Sequence, residues 1–115
     1  MTEQIAALDA LIGAVEAGDR HLCPFWKVWP PESKDGRLAY IADNAFTGSL
    51  DAAKALHEAL LPGWFPGMSK NIHHGHWYAW VQDKATAHFS AVEPDPARAW
   101  LLAIIRALIA QEGGE

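Results

Sequence analysis

Apolar residues recur at helical spacing in three segments of the chain. These segments run from Glu3 to Ala17, from Leu50 to Leu61 and from Pro96 to Glu112, and their length and periodicity predict three helices. The last segment is apolar on almost every side, so we expect that helix to be buried on most sides. A residue that favours helix capping precedes each segment. The predicted N-caps are Thr2, Thr47 or Ser49, and Asp95.

A β region is indicated between the second and third helices, from Trp64 to Val92. Gly75 marks one turn in this region, and Asp83-Lys84 fits a two-residue hairpin turn, which together predict three antiparallel strands. The hairpin turn predicts three cross-strand pairs, which are Val81 with Thr86, Ala79 with His88, and Tyr78 with Phe89.

This register divides the side chains of the predicted sheet between two faces. One face carries Ile72, Trp77, Ala79, Val81, His88 and Val92, and the other carries His73, His76, Tyr78, Trp80, Ala87 and Phe89. Both faces are rich in apolar groups, whereas an antiparallel sheet with one wet side alternates cleanly between apolar and polar residues. Either helices cover both faces, or one face contacts a partner.

Prolines and aromatic residues dominate the segment between the first two helices, from Asp19 to Gly36. It combines three prolines with Phe25, Trp26 and Trp29. Proline excludes a long helix or a central strand, and aromatic side chains are costly to leave in water. We therefore predict a loop that its aromatic residues pin to the core. The residues that follow, from Arg37 to Asp43, fit a short edge strand.

Length and composition indicate one domain that spans residues 1–115. A chain of this length buries about two-thirds of the surface that it exposes when unfolded, which is enough for one hydrophobic core. The net charge of −5 and the lack of a basic run argue against direct binding to nucleic acid. Cys23 is the only cysteine, so no internal disulfide forms, and we expect a buried thiol in a reducing cytoplasm.

We expect no targeting signal and no membrane anchor in this sequence. Its N-terminus lacks the positively charged region that opens a signal peptide. The most apolar stretch, from Ala99 to Ala110, contains Arg106 and is shorter than the roughly twenty residues that a membrane span needs. We expect a soluble cytoplasmic protein that does not contact a membrane.

Three segments together resemble a group of small tailed-phage and prophage proteins. They are Ala7 to Arg20, then Thr47 to Ala53 followed by Leu61 to Trp64, and Asp95 to Leu108, where a capped Pro-Ala-x-Ala pattern opens the last helix. The group is associated with the phage ABA-sandwich domain. The resemblance therefore implies an α+β fold, an α-β-α sandwich with helices at the N-terminus, middle and C-terminus around a small antiparallel sheet. It implies a phage origin and carries over no catalytic residue.

Histidines are the most conspicuous candidates for chemistry. A zinc site needs three or four converging ligands, among which imidazole is common. His73 and His76 lie on one face of the predicted sheet and are weak candidates for metal ligands. His88 falls on the other face under the predicted register, and the sequence does not fix the distance to His57. We therefore expect no bound metal and no cofactor.

Six tryptophans are a high number for 115 residues. Trp64, Trp77 and Trp100 suit the core, but not all six fit easily into so small a core. Aromatic side chains with a polar edge are enriched at binding hot spots. The predicted interaction residues are Phe25, Trp26 and Trp29 in the proline-rich segment, and Tyr78 and Trp80 on the sheet.

These observations predict a function in non-enzymatic binding. For a phage-encoded chain, the expected partner is a host protein or protein complex, and inhibition of a bacterial defence system in the manner of an anti-CRISPR protein is one concrete form. Self-association into a homo-oligomer is also open. Two alternatives remain, which are a binding protein for a nucleotide signal, in which Trp and His stack on bases, and a metal-dependent hydrolase built on the His cluster.

Overall fold

Four helices and three strands make up the described part of the chain, which comprises residues 2–17, 37–71, 75–84 and 87–112 of a computed structural model. In chain order they are helices α1 (Thr2–Ala17), α2 (Arg37–Phe46) and α3 (Leu50–Leu60), strands β1 (Phe65–Asn71), β2 (His76–Gln82) and β3 (His88–Glu93), and helix α4 (Pro96–Glu112). The predicted α+β class is confirmed, with a three-stranded antiparallel sheet that has helices before and after it. No helix within the described ranges is long and apolar enough to cross a membrane.

Helix α4 lies at the centre of the packing. Asp95 caps it, because its Oδ1 accepts the backbone N–H groups of Ala97 at 2.8 Å and of Arg98 at 3.1 Å. Pro96 follows at the first helical position, which its fixed φ suits. Residues 101–105 are all buried, since α4 packs on β2 and β3 and also contacts the other three described helices. The predicted burial of this helix is confirmed.

Helix α2 replaces the edge strand that the sequence predicted from Arg37 to Asp43, and that prediction is wrong. Ala42, Ala45 and Phe46 are buried, and this spacing of three to four residues belongs to a helix rather than to a strand. The end of α2 is held by Arg98 of α4, whose Nε donates to the Phe46 carbonyl oxygen at 2.9 Å. The Arg98 guanidinium also lies 4.4 Å from the centre of the Phe46 ring.

Helix α3 begins after one of the two predicted caps and ends before Pro62. The Ser49 side chain accepts the Ala52 N–H at 3.1 Å, so Ser49 rather than Thr47 is the N-cap. Ala53 and Leu56 are buried as expected. Leu50 stands at the first position of the helix, away from the core, and its side chain is 44 % exposed.

The three strands pair in the order β1-β2-β3, but the predicted hairpin register is wrong. Val81 pairs with Phe89 and Ala79 pairs with Ala91, so β3 is displaced by three residues from the predicted alignment. An odd displacement turns every side chain of a strand to the opposite face. Phe89 therefore points to the face that was predicted for His88.

The loop between β2 and β3 explains this displacement. The predicted two-residue turn does not form, and pairing resumes only at Gln82 and His88. Asp83 and Ala87 close the longer loop, in which the Asp83 N–H donates to the Ala87 oxygen at 3.0 Å and Asp83 Oδ1 accepts the Ala87 N–H at 2.9 Å. Thr86, the predicted partner of Val81, lies outside the described residues.

The observed register gives the sheet one buried face and one exposed face. Ala79, Val81 and Ala91 are buried on the face that carries α4. The opposite face, here called the open face, consists of Phe65, Gly67, Ser69, Asn71, His76, Tyr78, Trp80, Gln82, His88, Ser90 and Val92. Within the described residues, no helix packs on the open face.

Candidate interaction face

Two aromatic side chains lie together at the middle of the open face. The alternation of strand β2 places Tyr78 and Trp80 on the same side of the sheet. Their ring centroids are 5.3 Å apart, and the rings are tilted by 36°. Tyr78 is 36 % exposed and Trp80 is half-buried. Both were predicted as interaction residues, and the structure brings them into contact.

A glycine on the neighbouring strand makes room for the Trp80 ring. Gly67 is directly opposite Trp80 in the β1–β2 register. A Cβ at residue 67 would overlap Cε2 and Cζ2 of the Trp80 indole, so the indole occupies the space that a side chain at this position would fill. A glycine inside a strand is typical of such a close approach, and an aromatic ring that covers it is a known way to stabilise the pair. The position of Trp80 is therefore fixed by strand β1.

The open face is poor in charged residue types. None of its residues is Asp, Glu, Lys or Arg, although the chain contains fourteen acidic and nine basic residues. Its polar groups are hydroxyls, amides and two imidazoles. Depletion of charged residues together with enrichment of aromatic residues is the composition of the buried centre of protein interfaces.

The surface shape of the open face differs between the two ends of the sheet. At the end where β1 begins, Phe65 is 58 % exposed. At the other end, a shallow concavity of about 490 Å³ is lined by Ser69, Lys70, Asn71, His76, Tyr78 and Val92. Val92 is 56 % exposed. The face therefore has an exposed apolar side chain at one end and, at the other, a depression lined by apolar, polar and charged side chains.

The two edges of the sheet are less suited than the open face to bind a partner. At β3, Arg106 Nη1 donates to the Ser90 carbonyl oxygen at 2.6 Å, and Arg106 Nη2 lies 2.8 Å from Oε2 of Glu16. At β1, Pro66 lacks an N–H group and Lys70 adds a charge. Proline, charged side chains and covered carbonyls all discourage the pairing of edge strands.

Histidines do not form a metal site in the described part of the chain. His76 and His88 were predicted on opposite faces of the sheet, and this prediction is wrong, because the displaced register puts both on the open face. They still do not converge, since His76 is at one end of β2 and His88 pairs with Gln82 at the other, which is a separation of about 20 Å. The described residues contain no group of three or more His, Cys, Asp or Glu that could hold a metal. His73 lies outside them.

A further histidine, His57, is buried in helix α3 and has a partner for each ring nitrogen. Its Nδ1 accepts the indole N–H of Trp100 at 3.2 Å, and its Nε2 is 3.0 Å from the Trp64 carbonyl oxygen. An indole nitrogen only donates and a carbonyl oxygen only accepts, so His57 is the neutral tautomer with its proton on Nε2. Because both nitrogens are occupied, His57 joins α3, α4 and the start of β1 rather than acting as a base.

Glu93 is the other buried titratable group among the described residues. It stands at the end of β3, opposite Trp77 and on the face that carries α4. Burial raises the pKa of the Glu93 carboxyl from its ordinary value, and the positive charges of Arg98 and Arg106 only partly oppose that effect. The nearby Glu16 carboxylate raises this pKa further.

Trp64, Trp77 and Trp100 were predicted to lie in the core. Trp64 and Trp100 pack against the core as expected, and Trp64 stacks on Phe89 with ring centroids 6.2 Å apart. Trp77 is only half-buried at the end of the sheet, with Lys70 Nζ 5.7 Å from its ring centre. Among the residues singled out in the sequence, Cys23, Phe25, Trp26, Trp29 and His73 lie outside the described ranges.

Sequence reasoning missed three contributors to the open face, which are Phe65, Gly67 and Val92. The face of Val92 depended on the β3 register, which was wrong. The sequence of β1 carries no signal that assigns Phe65 and Gly67 to one face, because the intervening residues Pro66 and Met68 are uncharged as well.

The chain matches no protein family, no curated protein and no solved structure. Its resemblance to small phage proteins therefore stays a prediction.

Proposed function

We propose that this protein acts by binding a protein partner through the open face, without a chemical step of its own. The observation that carries the proposal is the contact between Tyr78 and Trp80 at the middle of a face poor in charged residue types. Tyr and Trp are the residue types that most often dominate binding energy, and neutral groups cost less free energy than charged groups when a partner removes water from them.

The surroundings of the aromatic pair suit the same function. Ser69, Asn71 and Gln82 offer hydroxyl and amide groups around the rings, and such neutral groups can hydrogen-bond to a partner backbone. The Trp80 indole is already held in place over Gly67. A side chain that is ordered before binding loses less conformational entropy in the complex.

The resemblance to small phage proteins extends the proposal to the identity of the partner. A phage accessory protein would meet its partner in the host cytoplasm, so we propose a host protein or protein complex, with a component of a defence system as the concrete case.

The proposal is tested with a Tyr78→Ala variant and a Tyr40→Ala control. Tyr40 is 68 % exposed on helix α2, away from the open face. Tagged wild type and both variants are used to capture host proteins, and the purified partner is then titrated by calorimetry. We expect Tyr78→Ala to weaken binding at least about thirty-fold, as for the loss of a hot-spot side chain, and Tyr40→Ala to bind like wild type. Equal affinity of wild type and Tyr78→Ala would overturn the proposal.

One observation favours a second candidate function, the binding of a nucleotide. The concavity of about 490 Å³ places the Tyr78 ring beside hydroxyl, amide and imidazole groups, and its volume is within the usual range for small-molecule sites. A nucleotide that raised the melting temperature of wild type but not of Tyr78→Ala would favour this candidate, since a ligand stabilises only the state that binds it.

A further inference from the structure

We propose that, when the partner is absent, the open faces of two copies of this chain pack against each other. The twofold axis that relates the copies lies in the plane of the contact and runs perpendicular to the strands. The inference rests on the proposed function, because it uses the same face as a contact surface. A second copy would then shield Tyr78 and Trp80 from water, and the partner would compete with it for the face.

The distribution of charge favours a second copy on this face. A twofold contact places a surface patch against itself, so any net charge on the patch repels its own copy. The chain has a net charge of −5, and two copies therefore repel over most of their surface. The open face contains no Asp, Glu, Lys or Arg, and Lys70 is the one such residue in the lining of its concavity, so two copies that meet through this face bring few like charges together.

The relief of the face is complementary to itself. Phe65 is exposed at one end of the sheet, and the concavity that includes Tyr78 and Val92 lies at the other end. A twofold axis perpendicular to the strands puts unlike ends opposite each other. The Phe65 ring of each copy then enters the concavity of the other, and the same contact forms twice.

The area of the face sets the strength of this contact. Three strands about 4.8 Å apart, each about seven residues long at about 3.4 Å per residue, present roughly 340 Å². A stable interface buries about 800 Å² per partner. The dimer therefore belongs to the weak class, which dissociates readily and allows a tighter partner to replace the second copy.

Sedimentation over a range of protein concentration, from about 10 μM to about 1 mM, tests this inference. We expect the mean mass of wild type to rise from monomer towards dimer over this range. The variants Phe65→Lys and Val92→Glu, each with a charge in the contact, should stay monomeric. Their melting temperatures should match wild type, because both side chains are more than half exposed. Tyr40→Lys, with the same change at an exposed ring on α2, should associate like wild type.

A mixture of the two charged variants makes the test specific for the twofold arrangement. In a mixed dimer, the new lysine enters the concavity that holds the new glutamate, and the other contact keeps Phe65 and Val92. We therefore expect an equimolar mixture of Phe65→Lys and Val92→Glu to regain dimer. Wild type that remains monomeric throughout, a mixture that does not associate, or equal disruption by Tyr40→Lys would each overturn the inference.

These outcomes are distinct from failure of the proposed function. If wild type stays monomeric but Tyr78→Ala loses its protein partner, the dimer is refuted and the binding function stands. If wild type dimerises but Tyr78→Ala binds the partner with full affinity, the open face serves self-association and the proposed function is wrong.

Discussion

Two buried titratable side chains show how differently this protein treats ionisable groups. His57 has a hydrogen-bond partner for each ring nitrogen, and buried polar groups satisfied in this way stabilise a fold. Glu93 lies near the guanidinium groups of Arg98 and Arg106, but the cost of its burial outweighs their attraction and raises its pKa. Glu93 is therefore a residue at which stability should depend on pH.

Stability should fall as the pH rises through the titration of Glu93. The pKa of this carboxyl is raised above its ordinary value of 4.5 in the folded chain, because burial and Glu16 outweigh the opposing Arg98, Arg106 and His76. Between the unfolded and folded pKa values the folded state binds more protons, so the free energy of unfolding decreases with pH. The contribution is fully present below the unfolded pKa and is lost above the folded one.

The variant Glu93→Gln isolates this effect, because glutamine keeps the shape of the side chain and does not titrate. Urea unfolding of both proteins from about pH 4 to about pH 7 gives the difference in their free energy of unfolding. We expect wild type to lose stability relative to Glu93→Gln as the pH rises. A difference that is constant, or that grows in favour of wild type, would contradict the assignment.

At the scale of elements, the sequence predicted those parts whose signals are local. Helix α4 has a cap, a proline and an apolar surface in one continuous segment, and each of these acts within a few residues. Helix α2 was missed because Leu38, Tyr40 and Ile41 alone fit a strand, and only the buried residues up to Phe46 reveal the helical period.

The β2–β3 register was missed for a different reason. Its loop is closed by two hydrogen bonds between Asp83 and Ala87, whereas Asp83-Lys84 resembles a shorter turn. Loop length sets hairpin register, so this one error reversed the face of every residue in β3. The candidate site was accordingly predicted at Tyr78 and Trp80 on β2 and missed at Val92.

The pairing of β1 with β2 gives a prediction at the element scale. In Gly67→Ala the new methyl group overlaps the Trp80 indole, so the ring must leave its place on the open face. We expect a loss of about 1–3 kcal/mol in the free energy of unfolding and an altered near-UV circular dichroism signal. The matched control is Gly13→Ala in helix α1, where a Cβ meets nothing within 4 Å and stability should rise by about 0.5–1 kcal/mol. A Gly67→Ala variant as stable as wild type would show that Trp80 does not depend on the glycine.

At the scale of the whole molecule, one face of the sheet is open because α4 packs on the opposite face and the other described helices contact α4. This helix packs on β2 and β3 and contacts α1, α2 and α3, and among the described helices it alone packs extensively on the sheet. Which face of a sheet receives such a helix depends on tertiary packing rather than on local pattern, because both faces of this sheet carry apolar residues. That is why the sequence left open whether the second face is covered or contacts a partner.

The shared position of α4 predicts that the described domain unfolds as one cooperative unit. Ile104 is fully buried at the middle of this helix, and its truncation to alanine leaves a cavity that several elements line. We expect Ile104→Ala to cost about 2–4 kcal/mol, with the same shift of the denaturation midpoint by tryptophan fluorescence and by far-UV circular dichroism. The control is Leu50→Ala, which also removes a branched aliphatic side chain, but from a position that is 44 % exposed, so its cost should be smaller. A change below about 0.5 kcal/mol for Ile104→Ala is typical of surface positions and would show that this side of α4 is not in the core. Denaturation midpoints that differ between the two probes would show that the elements around α4 unfold separately.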